Sequence, residues 1–431
     1  MPHLLSSLVL LLAIAALVRR IEVRLVLLLA GAVLTALAGQ PLAAADALAS
    51  AMVATFVPAI CASVGFAAVL AHTGCDRDLA RVLLRPVARC PSLALPGVVM
   101  AGFVANVAIP SQTGTAATLA PIALPMLHAA GIAPSAAAAA LLLGVSFGGD
   151  LLSPAAQDVL AIGGLIPIDH GRVHRLLAVA VPSGLAVAAL AGLVTWRRLP
   201  TPAKPQRPDV ADITTATMLR AAVPLLPTTM LLLAHAGMPS MQWLTTLPDT
   251  AIDASWGPSL AVVRAMLIGS VLAFVVGDRA GGPPTKPFFE GMGQAYANVV
   301  SLTMCAQVFG TGIAASGLAD SLLAATESRS PGSLVAFGFP MLLAMMSGSG
   351  SGSVLACAQA MLGDAAAGPE LDRCAAMACV GGALGRTASP AAAVVVCVAG
   401  FAKVSPLAAL SMLAIPLALG GLVTFLIVML S

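Results

Sequence analysis

The chain has 431 residues, of which 59% are hydrophobic and 9% charged, and its mean hydropathy is +1.00. Soluble domains run nearer a quarter charged, so an ordinary soluble enzyme is excluded, and a net charge of +3 is too small and too scattered for a nucleic-acid binder. Apolar runs of about 20 residues recur along the whole length, which marks an all-α polytopic membrane protein. The eight cysteines form no CxxC and lie mostly in apolar runs, so neither a disulfide framework nor a zinc site is expected.

The first apolar run, Leu4 to Val18, has no positive charge before it and is followed by Arg19, Arg20 and Arg24. A secretory signal carries its charge in front, so this reads as a retained span with its N-terminus outside. Spans are expected at 25–40 and 46–71. Residues 76–89 carry arginines at 77, 81, 85 and 89 beside Leu79, Val82, Leu83 and Leu84, the stripe of an amphipathic helix on the cytoplasmic surface. Residues 92–128 are broken by Pro96, Pro110, Pro121 and Pro125 around a polar patch, and read as a re-entrant hairpin. As one helix, 135–168 would be about 50 Å long, so a helix broken near Gly148-Gly149-Asp150 is expected there. A span at 176–195 completes the first half.

Residues 197–219, with four prolines among Lys and Arg, read as a cytoplasmic linker. The division is therefore 1–196, linker 197–219, and 220–431. The second half offers spans at 220–238, 259–276 and 289–316, and an interfacial piece at 317–330. A second hairpin at 332–362, a broken span at 374–402 and a last span at 404–430 follow. Proposed inside segments hold fifteen Lys and Arg and outside segments four, with Arg264 and Arg386 left inside spans. This asymmetry puts both termini outside.

The halves superpose at one offset of 236: Ser111 on Ser347, Gly114 on Gly350, Gly149 on Gly385, Ser153 on Ser389. Five crossings and one hairpin per half flip the second half. The fold expected is about ten transmembrane helices plus two re-entrant hairpins in two inverted-topology repeats, the design of a secondary transporter.

Four polar breaks converge if the repeats pack about a pseudo-two-fold axis, and unwound backbone in a bilayer survives only around a buried or watery cavity. The candidate binding residues are Ser111, Gln112, Thr113, Gly114 and Thr115 in the first hairpin, with Ser153 and Pro154 in the first broken helix. In the second half they are Ser347, Gly348, Ser349, Gly350 and Ser351, with Arg386, Thr387, Ser389 and Pro390. Free N–H groups at half-helix N-termini suit an anion, and carbonyls and hydroxyls suit a small cation. Asp150 and Arg386 follow the matched glycines. Either Arg386 binds a substrate carboxylate while Asp150 serves the coupling cation, or the two form a salt bridge between repeats. Asp158 is a further candidate for proton handling, unless it sits at the outer surface beside Gln157. Asn106 is close enough to the first hairpin tip to shape the site. His170 and His174 have metal-ligand spacing, but in a short outside connection; no metal site and no cofactor is expected. Without a Walker A, HExxH or GxSxG sequence, nothing points to an enzyme.

The segments NVAIPSQTGTAATLAPIALPML (106–127), SGSGSGSVLACAQAML (347–362) and GRTASPAAAVVVCVAGFAKVSP (385–406) together resemble the anaerobic four-carbon dicarboxylate carrier family of the DcuC type. That family belongs to the ion transporter superfamily, with the divalent anion/sodium symporters. The resemblance implies a homodimer in a bacterial inner membrane, with a scaffold domain and a transport domain that moves like an elevator. It implies succinate, fumarate or malate as substrate, by exchange or with Na+ or H+ as coupling ion. In sodium-coupled relatives the hairpin tips carry Ser-Asn-Thr. The tips here are Ser111-Gln112-Thr113 and Ser347-Gly348-Ser349, and neither keeps the Asn. Citrate, a sugar acid, or cation/proton antiport without organic cargo are the alternatives left open.

Overall fold

The structure, a computed structural model, describes residues 2–19, 21–89, 93–196, 213–246, 256–278, 285–317, 331–362 and 367–431. Regular structure in these residues is helical. The first half runs α1 (Pro2–Val18), α2 (Val23–Leu37), α3 (Ala43–Met52), α4 (Val57–Thr73) and α5 (Cys75–Arg89), then α6 (Ala94–Ala108), α7 (Gln112–Ala129), α8 (Pro134–Ser146), α9 (Gln157–Gly163) and α10 (His170–Trp196). The second runs α11 (Thr215–Ala222), α12 (Leu226–His235), α13 (Gly257–Val276), α14 (Lys286–Ala295) and α15 (Ser301–Ala315). It continues through α16 (Pro331–Ser347), α17 (Gly350–Cys357), α18 (Pro369–Ala388) and α19 (Ala393–Ala402) to α20 (Pro406–Leu430).

Seven stretches among the described residues are long and apolar enough to cross a membrane, and α3 with α4, bent by 47°, makes an eighth. α1 and α2 are apolar but only 17 and 15 residues long, about 26 and 23 Å of helix against a hydrocarbon core of about 30 Å. The chain is an integral membrane protein.

Two helix pairs stop short. α6 ends because Ile109, ahead of Pro110, is driven to extended backbone (φ −107°, ψ 108°). Ser111 then starts α7 as its N-cap, its Oγ accepting the Gly114 N–H at 3.2 Å. In the second half the chain turns at Gly348, whose φ of +75° favours glycine. Ser349 caps α17 by accepting the Gly352 N–H at 3.2 Å. The caps are therefore 238 residues apart, not the 236 expected. Two further pairs are broken helices. α8 stops before Gly148 (φ +116°), and a 3-10 turn, Gly149–Leu152, precedes the loop to α9. α18 and α19 break at Ser389-Pro390, where the 236 offset does hold: Ser153 Oγ accepts from Ala155 N and Ser389 Oγ from Ala391 N.

These pairs exchange partners. α6 lies on α8 and α16 on α18, α7 packs on α19 while α17 packs on α9, and α8 touches α18. α10 and α20 lie along each other, and each also reaches the other half's long arm, α10 on α18 and α20 on α8. This assembly shares one apolar core. A second core joins α4 to α12, α13 and α14, and a third joins α1 and α2 to α15. Burying each Leu, Ile, Val or Phe there contributes about 1.5–3 kcal/mol relative to water, though little relative to lipid.

Several boundaries differ from expectation. The span expected at 176–195 begins at His170, so His170 and His174 occupy the first turns of α10 instead of a connection. α11 takes the C-terminal end of the expected linker; residues 197–212, like 318–330 of the expected interfacial piece, lie outside the described residues. The expected amphipathic helix is α5. It buries Leu79 and Leu84 against the protein, packs on α6, α7 and α11, and leaves Arg77 and Arg81 exposed.

Candidate functional site

The four breaks meet around two charged residues. Asp150 sits on the 3-10 turn, where Gly148 lets the chain leave the α8 axis. One carboxylate oxygen accepts from Asn106 Nδ2 of α6 at 3.3 Å; the other accepts from Gln112 Nε2 at the first hairpin tip. Arg386 occupies the last turn of α18, and its Nη2 lies 3.6 Å from Asp150 Oδ1. Their side chains are 10% and 13% exposed, for Arg386 and Asp150 respectively. The second hairpin tip closes the other side: a Cβ on Gly350 would stand 3.0 Å from Arg386 Nη1, so a side chain there would crowd the guanidinium.

The two partners are unequally satisfied. Asp150 accepts from two amides, whereas Arg386 Nε and Nη2 are buried without a hydrogen-bond partner. At 3.6 Å the Nη2–Oδ1 approach is an ion pair and too long for a hydrogen bond. A buried donor left unpaired costs about 1–3 kcal/mol, more when charged, so this guanidinium has the capacity to receive an anion in its fork. Asp158, expected either in the site or at the outer surface, is buried on α9 with its Oδ2 unpartnered, in electrostatic reach of Arg386 and Asp150. Asn106 is fully buried, and its Oδ1 also lacks a partner.

Other expected site residues have structural tasks. The Thr387 hydroxyl lies 2.8 Å from Ser146 Oγ and 2.7 Å from the Ser146 carbonyl oxygen, tying α18 to α8. Thr115 donates to Ser111 O and Ser353 to Ser349 O, which tightens the two hairpin caps. Ser111 and Ser349 spend their Oγ on caps, and Ser347 Oγ accepts from Ser349 N. Ser153 and Ser389 brace the broken-helix loops, and Ser153 and Pro154 face a small cavity with His170, His174 and His235. Thr113 and Gly348 are half-buried at the tips, Ser351 is buried behind them, and Pro390 is half-buried in its loop. Among the described residues no three His, Cys, Asp or Glu gather as a metal centre.

One further contact is not marked by the sequence. Thr118 of α7 donates to Asp76 of α5 at 2.8 Å. An acidic residue heading an arginine-rich helix was the signal on one side; nothing marked Thr118 among the residues of an apolar arm.

The family model described as C4-dicarboxylate anaerobic carrier, DcuC, matches residues 45–431. The anaerobic C4-dicarboxylate transporter DcuC of Escherichia coli K12 is 26% identical over 384 residues, covering 83% of this chain and 76% of that protein. A probable anaerobic C4-dicarboxylate transporter DcuC of Vibrio cholerae is 27% identical over 383 residues, covering 84% and 79%. The crystal structure of the Alcanivorax borkumensis YdaH transporter superposes with a TM-score of 0.60 at 19% identity, covering 87% of this chain and 85% of that one, and so shares the fold. The family and these relatives are transporters, not enzymes, and this membrane protein belongs to the C4-dicarboxylate anaerobic carrier family.

Proposed function

We propose that the protein carries small dicarboxylates of the succinate, fumarate and malate class across a bacterial inner membrane by alternating access. The observation that carries the reading is the buried Arg386, with Nε and Nη2 unpartnered beside the Gly350 hairpin tip. In this reading one substrate carboxylate occupies the Arg386 fork while N–H groups at the capped starts of α7 and α17 receive the other. The names of the Escherichia coli and Vibrio cholerae relatives support a four-carbon dicarboxylate.

The exchanged packing of α7 on α19 and α17 on α9 is what two inverted repeats generate about a two-fold axis, and it supports an elevator-type transport unit built from α6–α9 and α16–α19. We take α1–α4 and α11–α15 as scaffold, α10 and α20 as riding on the unit whose core they share, the functional unit as a homodimer, and both termini as periplasmic. Na+ or H+ is the coupling ion, with Asp150 and Asp158 as its acids.

Radiolabelled succinate uptake into proteoliposomes preloaded with succinate, fumarate, citrate or buffer tests this. Uptake stimulated by internal succinate or fumarate is expected. Arg386→Ala should lower it by about 10- to 100-fold, the worth of one or two charge-assisted hydrogen bonds. Stimulation by citrate alone would move the assignment to a larger carboxylate. Cation-dependent pH changes without any carboxylate would move it to antiport, the reading that the buried Asp158 and the part-buried Asp150 favour.

A further inference from the structure

A second cavity, of about 490 Å³, lies between α4, α5 and α7. That volume falls in the range of small-molecule sites. One side carries Arg77 and Arg81, both exposed, while the other reaches Ile109 and Gly114, which bracket the hairpin tip that holds Gln112 on Asp150. Between them its wall is formed by α7, including the exposed Ala117.

The cavity lining itself carries two guanidinium groups, Arg77 and Arg81, against one carboxylate, Asp76. Arg81 pairs with Asp78 at 3.0 Å, but Asp78 also faces Arg220 at 3.7 Å, so one carboxylate is shared by two guanidinium groups. Arg220 is itself paired with Asp278. The negative group in the wall is Asp76, 6% exposed, which accepts from Thr118 Oγ1 at 2.8 Å and from Arg77 N at 2.7 Å. Its burial raises its carboxyl pKa above the ordinary carboxylate value.

We propose that this cavity is a receiving station for the carboxylate cargo, in which Arg77 and Arg81 gather the anion on the α5 face and hand it along α7 to the first hairpin tip. The inference rests on the carboxylate reading of the Asp150–Arg386 site. Arg77 and Arg81 act here by raising the local anion concentration, an effect on encounter that falls with ionic strength, and take no part in the inner site.

The test introduces Ala117→Cys and measures its modification by an anionic and a cationic methanethiosulfonate of similar size, against the parent chain. The anionic reagent is expected to react several-fold faster at low salt. The preference should shrink in high salt and disappear in Arg77→Gln/Arg81→Gln. The single Arg77→Gln, which leaves the Arg81–Asp78 pair in place, should lose part of it. Succinate should slow the modification. In uptake assays with cargo on the α5 side, the double variant should raise the half-saturating concentration several-fold at little cost in maximal rate, and Asp76→Asn should lower it. Equal reactivity toward both reagents, or an unchanged half-saturating concentration, would overturn the proposal. So would protection that appears only in liposomes containing anionic lipid, because the occupant would then be a lipid headgroup. If the protein carries no dicarboxylate at all, the reagent preference still decides whether the cavity gathers anions.

Discussion

At Asp150 and Arg386 the balance between attraction and desolvation sets what the pair contributes to stability. Removing one member of a buried pair strands the other, which typically costs about 3–5 kcal/mol, whereas removing both costs much less. Asp150→Asn should therefore lower the melting temperature in detergent markedly, and Asp150→Asn/Arg386→Gln should restore part of it. The two effects should be non-additive by about 1–3 kcal/mol. Strictly additive losses would mean that the 3.6 Å approach carries no coupling. Asp76 offers a second test, with pH as the variable. Its carboxyl pKa is raised by burial, partly offset by the Thr118 hydroxyl, the Arg77 backbone N–H and the Arg77 charge. The folded state thus holds this proton more tightly than the unfolded chain, so the group's contribution to stability falls as pH rises from the ordinary carboxylate value through the raised one. Asp76→Asn should remove that slope and melt higher than wild type above this window, with little difference below it. Identical melting curves across pH would show that Asp76 is not held in a proton-retaining site.

Among the elements, the hairpins and broken helices depend on close backbone approach more than on side-chain chemistry. Gly348 holds φ at +75°, and a Cβ there would come within 3.0 Å of Ala392 N in the facing loop. Gly385 lets α18 meet α16 so closely that a Cβ would run into the Met341 carbonyl. Gly348→Ala should cost about 1–2 kcal/mol from the left-handed backbone alone, and loosen the tip from the loop. Gly385→Ala should be the more damaging, because overpacking between two helices is relieved only by moving one of them. Thermal denaturation of the two variants ranks them; the reverse order would contradict the packing described. These elements were largely legible in the sequence. Pro110 before a polar patch, Gly148-Gly149, and the two Ser-Pro-Ala-Ala blocks marked the breaks because proline and glycine act locally. The hairpin register was not legible. Ser347 matches Ser111 by position, but Gly348 turns the chain and passes the cap to Ser349, and which of several serines caps a helix depends on backbone dihedrals. The start of α10 at His170 was equally hidden, because the polar run 169–175 resembles a connection until Asp169 N is seen to donate to Asp372 on α18.

For the whole molecule, the proposed elevator predicts that contacts inside the transport unit and contacts at its boundary behave differently. Within the proposed transport unit, α8 and α18 are bolted by Thr387 and Ser146, with their hydroxyl oxygens 2.8 Å apart. Across the proposed boundary, α12 meets α6 through Thr228 Oγ1 donating to Val107 O at 3.3 Å. Polar bonds in lipid average little more than about 0.6 kcal/mol, so the second contact is weak enough to break during a cycle, while the first sits in the shared core of the hairpins and broken helices. If the unit moves as a rigid body, a crosslink at the boundary must stop transport and one inside the unit must not. Thr228→Cys/Val107→Cys joined by a thiol crosslinker should block uptake until reductant releases it, and Ser146→Cys/Thr387→Cys should transport alike joined or free. Block by the inner pair would place the moving joint between α8 and α18, and undiminished uptake with the outer pair joined would remove α12 from the fixed scaffold.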